Sequence, residues 1–332
     1  VNNSNAFNSQ FLSSSAKPCF EIWFAVIIDK ITKKALWIRY TTFFPHPSFQ
    51  QKAVAVMWAS WFDRENPNNH CYGAETYPID QVNLDKEPYI YPNGKLSSNN
   101  LLGKLMTAKG LLEWNLSFEH QFEAFDHTPS WLSRSNIPKT KSLVCSPFAK
   151  VQGTVMFNNN TYAFNKADGW FNHICGTQRV ESLFWTYVPC FDDDSEGWSL
   201  EIASVKAKNF LPTLTFTTLA RKEHLYHQTS LWNSLNGTLK VNFPNLEFKS
   251  KVADYQIEVK SQLDKNQITP YIYRDPNGAK LHILQSDVGQ ASCVIKANNY
   301  KKMLVSKDGA AVEFHSIKPW REFSYLDPYF VS

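Results

Sequence analysis

Residues 148–191 read FAKVQGTVMFNNNTYAFNKADGWFNHICGTQRVESLFWTYVPCF, and their reading decides the fold. Strand-like alternation over KVQGTVMF is broken at Asn158-Asn159-Asn160, and Asp168-Gly169 is read as a second turn. Then Trp170, Asn172, His173, Gly176, Arg179, Glu181, Trp185 and Tyr187 follow within 18 residues. No other segment gathers so many aromatic and titratable groups. β-patterned sequence flanks it on both sides, so it is expected to join two β-rich domains and to carry one site.

Upstream, CFEIWFAVIID (19–29) and ALWIRYTTFF (35–44) form a hairpin around a lysine-rich turn, stopped by Pro45 and Pro47. Both faces of the first strand are apolar, so it is expected to be covered on both sides; Glu21 and Arg39 are the polar exceptions. Strands are further expected over 48–62, 75–82, 89–91 and 111–118, with 95–109 left between a strand pair and a short helix or loop. A loop with one short helix is expected over Thr128–Lys141, and a disordered, Asn- and Ser-rich segment over 1–15. Downstream of the acidic run Asp192-Asp193-Asp194, short strands recur at 198–205, 211–220, 223–228, 237–243 and 255–261. Such spacing marks a sandwich or barrel. Residues 222–227 also have some helical potential. Asp275-Pro276-Asn277-Gly278 is a strong turn signal, and the C-terminal stretch supplies a last strand.

The chain is therefore read as all-β. Its 332 residues suit two barrels, divided as 16–194 and 195–332 after the N-terminal segment 1–15. Lys plus Arg is 34 against 30 for Asp plus Glu, a net charge of +4, which lacks the clustered excess of a nucleic-acid binder. Six cysteines at irregular spacing, with no C-x-x-C pair, argue against a zinc site or a disulfide framework and for buried thiols in a reducing compartment. No transmembrane stretch is present, so a cytoplasmic protein is expected, with peripheral membrane contact left open. The polar opening, without an initiating Met, fits a processed or trimmed N-terminus. No phosphate-cradling, zinc-protease or nucleophile-elbow motif occurs, and no cofactor or metal is expected.

An acid–base site inside a barrel needs a group titrating near neutrality or a carboxyl raised by burial. His173 fits the first condition, and Glu21 or Glu181 fits the second. Arg179 suits an anionic group or can orient a carboxylate, Arg39 belongs to the candidate ligand-binding set, and Trp23, Trp170, Trp185 and Tyr187 suit a flat ligand or a developing cation. Asn172 and Asp287 complete the candidate ligand-binding set. Each has a structural alternative: His173 as a hydrogen-bonded core residue, Arg179 with Glu181 as an ion pair on one strand face, and Asp287 as a turn or edge residue.

Three stretches together resemble the lipocalin-like carotenoid hydratase and tocopherol cyclase-type superfamily. They are the hairpin EIWFAVIIDKITKKALWIRYTTF (21–43), the run KVQGTVMFNNNTYAFNKADGWFNHICG (150–176) and the strand LHILQSDVGQASCVI (281–295). In the second, a V-x-G strand precedes a turn and an aromatic–x–x–His–x–x–Gly element, matched by Trp170, His173 and Gly176. Cys175 stands where that group usually has Trp, and Gln285 where it has Asn. The resemblance implies two tandem calycin-like barrels and a bulky, apolar ligand, often with proton-assisted chemistry, as in hydratases of carotenoid double bonds, tocopherol cyclases and pericyclase-type cyclases. Two functions are expected. One is a hydratase, isomerase or cyclase of a prenyl, polyene or polyketide-like hydrophobic small molecule, with His173 moving the proton. The other is a non-catalytic carrier or sensor of such a molecule.

Overall fold

The computed structural model describes residues 6–9, 17–128, 139–228 and 230–330. The first half is built from β1 (Cys19–Asp29), β2 (Lys34–Phe44), β3 (Val54–Asp63), β4 (Cys71–Pro78), β5 (Tyr89–Tyr91), β6 (Gly94–Leu96), β7 (Asn100–Thr107), β8 (Gly110–Glu119), β9 (Phe125–Asp126), β10 (Thr140–Phe157) and β11 (Asn160–Gly176). The second half comprises β12 (Ser182–Val188), β13 (Trp198–Lys206), β14 (Leu214–Arg221), β15 (His224–His227), the helix α1 (Leu231–Leu235), β16 (Thr238–Asn242), β17 (Asn245–Val252), β18 (Tyr255–Gln262), β19 (Thr269–Arg274), β20 (Lys280–Ala297) and β21 (Tyr300–Ser316).

These strands make two large antiparallel sheets. The first runs β4-β3-β2-β1-β11-β10-β8-β7-β6-β5 and the second β15-β14-β13-β12-β21-β20-β18-β17-β16. Each sheet curls on itself, as expected of tandem calycin-like barrels. In the first, β4 returns to pack against β7. Gly73 permits that approach, because a Cβ there would lie 2.9 Å from the Met106 carbonyl. In the second, β14 packs against β17 and α1 lies on both.

Three apolar cores follow from strand alternation. Trp23, Ala25 and Ile27 face the interior of the first barrel; Phe20, Ile22, Val26 and Ile28 face outward. The outward face is not solvated. It meets Trp185, Tyr187, Tyr271, Tyr273 and Ile283 of the second sheet in a shared core between the sheets. The interior of the second barrel is filled by residues such as Leu200, Ile202, Phe248 and Phe314. This doubly covered first strand was legible in the sequence. All six cysteines are free thiols, and only Cys190 is not fully buried.

Several local expectations are corrected. Asp168-Gly169 makes no turn, because β11 runs through it; Gly169 admits the side chains of Val151 and Phe118, where a Cβ would meet Val151 at 2.5 Å. Residues 48–53 precede β3 and are not strand, and the stretch left open at 95–109 contains the paired strands β6 and β7 joined by residues 97–99. Residues 222–227 form the turn and strand of a β14–β15 hairpin, not a helix. Among residues 1–15, expected to be disordered, Ala6 and Phe7 are fully buried. The reason is that one aromatic ring found an aromatic pocket inside the first barrel. The helix expected between Thr128 and Lys141 falls on 129–138, outside the described residues. The strands pass from the first sheet to the second over residues 177–181, and the acidic run follows β12. There Asp192 pairs with Lys30, in the turn between β1 and β2, at 2.5 Å, and Asp194 accepts the Trp198 amide at 2.6 Å.

Candidate functional site

Alternation sorts the expected site residues onto the two faces of the first sheet, and so into two places. Glu21 and Trp23 on β1 and His173 on β11 face the interior of the first barrel. His173 Nε2 lies 2.8 Å from Glu21 Oε1, and Nδ1 lies 2.8 Å from the Ala6 carbonyl. Trp23 stacks flat on the imidazole, with centroids 4.8 Å apart. Both ring nitrogens face oxygen acceptors. Nδ1 must carry a proton to donate to the carbonyl, so the Nε2–Oε1 contact also holds a proton, on one atom or the other. His173 is 0 % exposed and lies beneath residues 6–9.

Glu181 does not join this pair. It lies in the connection between β11 and β12, where Lys208 Nζ and the Asn209 amide donate to it at 3.1 and 2.8 Å. Arg179 is in the same connection, so the two share no strand face and form no ion pair with each other. Arg179 instead donates from Nη1 to Asp275 Oδ1 at 3.0 Å and lies over the Phe20 ring at 3.8 Å. The five residues between the sheets are too few to continue the first and are tied to the second by Asp275.

Arg39, Trp170, Asn172, Trp185, Tyr187 and Asp287 gather in the core between the sheets. Trp170 lies 5.5 Å from Tyr187, and Trp185 stacks parallel to Tyr187 at 6.0 Å. Phe148 completes the aromatic wall, 5.3 Å from Trp170 and 5.9 Å from Tyr187. Arg39 is 2 % exposed, and its guanidinium is sandwiched by rings, 3.7 Å from Tyr273 and 4.9 Å from Trp58. Among the described residues no carboxylate lies within ion-pair distance of it.

The carboxyls that matter most here were not all expected. Asp287 is 0 % exposed, and burial pushes its carboxyl up to about 8, against the hydrogen bond that Gln285 Nε2 donates at 2.9 Å and with the help of nearby Glu313. Glu201 on β13 is pushed up to about 7 by burial, although Trp185 Nε1 and Thr218 Oγ1 donate to it at 2.9 and 3.0 Å. His127 stands 3.6 Å from Glu201, and burial together with His227 lowers its imidazole to about 3, which keeps it neutral. Glu313 is 2.7 Å from His315 Nε2 on the same strand, a separation that suits an ion pair but is poorly aligned for a hydrogen bond. Asp287 Oδ2, Gln285 Oε1, Tyr187 Oη and Asn172 Oδ1 are buried without a hydrogen-bond partner among the described residues. Such groups cost free energy unless something polar meets them.

Register places these acids on one row. Glu201 pairs with Tyr187, Tyr187 with Ala311, and Ala311 faces the bulge at 286–289 that carries Asp287. Three strand spacings separate the two carboxyls, roughly 14 Å. A cleft of about 280 Å³ opens beside Phe148 and is also lined by Phe122, Asp168, Cys190 and Ala220. A larger hollow of about 590 Å³ beside Tyr91, Leu102 and Trp114 is lined by none of the candidate residues. Glu201, Glu313 and His315 did leave a signal in the sequence. Each alternates with the apolar residues that fill the second barrel, as in SLEIA and VEFHS, and so stands on the opposite face of its strand.

No family model matches the chain, and no curated protein matches it. Solved structures do share its fold. Kievitone hydratase from Nectria haematococca superposes with a TM-score of 0.55 at 11 % identity, over 97 % of this chain and 96 % of that one. A candidate AttH from Nitrosomonas europaea gives 0.53 at 7 % identity, over 95 % and 99 %. CghA with Sch210972 gives 0.53 at 8 % identity, over 90 % and 88 %. At such identities the likeness concerns the fold. The two-sheet, all-β architecture that the three sequence stretches imply is the fold these structures share.

Proposed function

We propose that the chain is a cofactor-independent hydratase, isomerase or cyclase of a bulky hydrophobic molecule of prenyl, polyene or polyketide-like type, acting between the two sheets. One observation carries this reading. Asp287 is buried, holds its proton at neutral pH and, among the described residues, has an oxygen with no partner, in the bulge opposite Ala311, the register partner of Tyr187. A dry, neutral carboxylic acid is the group that protonating an unactivated C=C bond requires. Asp287 donates the proton to one alkene carbon, and positive charge develops on the other. Trp170, Trp185, Tyr187 and Phe148 shield that charge through their ring faces. Water capture, loss of a neighbouring proton or attack by an internal nucleophile then gives hydration, isomerisation or cyclisation. Glu201, titrating near 7, suits the group that takes a proton at the far end of a long substrate. Arg39 offers a cation to a carbonyl or phenolate oxygen. The fold neighbours support the reaction class, one of them being named as a hydratase.

A carrier without proton chemistry is favoured by a different observation, the engagement of both His173 nitrogens within the protein. One experiment separates the two. Lipids extracted from the purified protein, and a prenyl-bearing polyene added to it, are incubated in D₂O and analysed by mass spectrometry. Deuterium incorporated at carbon by the wild type and lost in Asp287→Asn supports the enzyme. A bound molecule returned without deuterium leaves only the carrier. Activity should fall as pH rises through about 8, where Asp287 loses the proton it donates.

A further inference from the structure

We infer that the interior of the first barrel is a second ligand site, for a small aromatic amide, and that residues 6–9 are its built-in, displaceable occupant. This pocket lies on the opposite face of the first sheet from the acids between the sheets, and the inference is independent of their chemistry. Phe7 is 0 % exposed and stacks on Tyr89 at 5.3 Å, with Trp23 at 6.1 Å and Phe171 at 5.8 Å around it. Trp23 Nε1 donates to the Phe7 carbonyl and His173 Nδ1 to the Ala6 carbonyl, each at 2.8 Å. The Ser9 amide donates to Tyr89 Oη at 2.9 Å, and Ser9 Oγ donates to Glu21 Oε2 at 2.6 Å.

Every one of these receiving groups belongs to β1, β5 or β11, so strand pairing fixes the pocket whether or not the plug is present. Residues 6–9 belong to no strand. A barrel filled only for stability has no use for an imidazole and a carboxyl in its core, since apolar side chains of equal volume serve as well or better. This pocket instead combines an aromatic slot with two donors and two acceptors, all converging on one short segment. That is the composition of a small-molecule site. With the segment withdrawn, the Trp23 Nε1 and His173 Nδ1 donors would lose their carbonyl acceptors at about 1–3 kcal/mol each, so the vacated pocket selects an occupant with the same pattern: one flat ring and carbonyls a few atoms apart.

The test uses the full chain and N-acetyl-phenylalanine amide as probe, followed by tryptophan fluorescence and calorimetry. Phe7→Ala should bind the probe at least tenfold more tightly than the wild type, because the probe no longer competes with the Phe7 ring. Adding Trp23→Phe, which removes the donor to the carbonyl, should reverse the gain. Equal affinity in wild type and Phe7→Ala, or no binding by a folded Phe7→Ala, overturns the inference. Should Phe7→Ala fail to fold, hydrogen exchange of the wild type decides. Saturating probe should speed exchange of the Ser9 amide at least tenfold and leave the β1 amides protected, whereas unchanged protection at Ser9 rules out displacement.

Discussion

Asp287 contributes opposite things to stability and to chemistry. Its folded-state value of about 8 stands above the ordinary 3.8, so the folded protein keeps a proton that the unfolded chain releases. Stability is therefore intact below about pH 4, falls as pH rises toward 8 and then levels. Asp287→Asn keeps the shape and the acceptor for Gln285 but cannot ionise. It should be more stable than wild type at pH 7, by on the order of 4 kcal/mol at most, and its urea midpoint should lose the downward slope between pH 5 and 8. The same variant should be inactive if Asp287 supplies the proton. A wild type whose stability does not fall over that pH range would mean that the carboxyl is ionised in the fold. None of this was visible in LQSDVGQ, where Asp287 reads equally well as an edge residue. Burial raised it, and burial at that position comes from the other sheet. Glu201 was closer to legible, because alternation alone puts it on the face opposite Leu200 and Ile202. What the sequence lacks is the knowledge that this face is covered.

At the scale of elements, the paired strands β10 and β11 carry the wall of the site, 18 and 17 residues long. Their pairing slips between Val144 and Ser146 and again between Ser146 and Ala149. In that irregularity Phe148 takes φ 48°, a left-handed conformation that normally favours glycine, and its ring packs on Trp170 and Tyr187. Two variants separate ring from backbone. Phe148→Ala and Phe148→Gly both lose the ring, at about 3–5 kcal/mol by the usual cost of emptying an aromatic site. Gly should nonetheless be the more stable of the two, by roughly 1 kcal/mol, reversing the order seen in regular strands. Denaturant melts of both decide it, and a more stable Ala variant would show that the strand relaxes. The hairpin of β1 and β2 was readable because two apolar faces can only mean cover on both sides. The bulge was not, since nothing in CSPFAK distinguishes a slipped register from a regular one.

For the molecule as a whole, the two sheets are bound together by more than contact. Asp63 N donates to Gln267 Oε1 at 2.8 Å, His70 Nε2 lies 3.1 Å from the Ile268 carbonyl, and Arg64 pairs with Asp264 at 2.5 Å. Asp275 accepts the Arg179 amide through both carboxylate oxygens, at 3.1 and 3.0 Å, pinning the connection between the sheets to the end of β19. One cooperative unfolding transition is expected, with fluorescence and far-ultraviolet circular dichroism coincident; two resolved transitions would mean that the shared core does not couple the halves. Asp275→Ala should destabilise that single transition by about 3–5 kcal/mol, because it strands the buried Arg179 guanidinium. What the sequence by itself determined was the set of strands, their faces and the pairing of two β-rich halves, because side-chain alternation and turn residues act over a few neighbours. Tertiary structure decided which faces met. It put Glu21 against His173 across a strand pair, brought Arg39, Tyr187 and Asp287 together between the sheets, and buried Phe7 in a barrel. Those outcomes depend on the curl of each sheet and on loss of solvent from both sides, which no local pattern encodes.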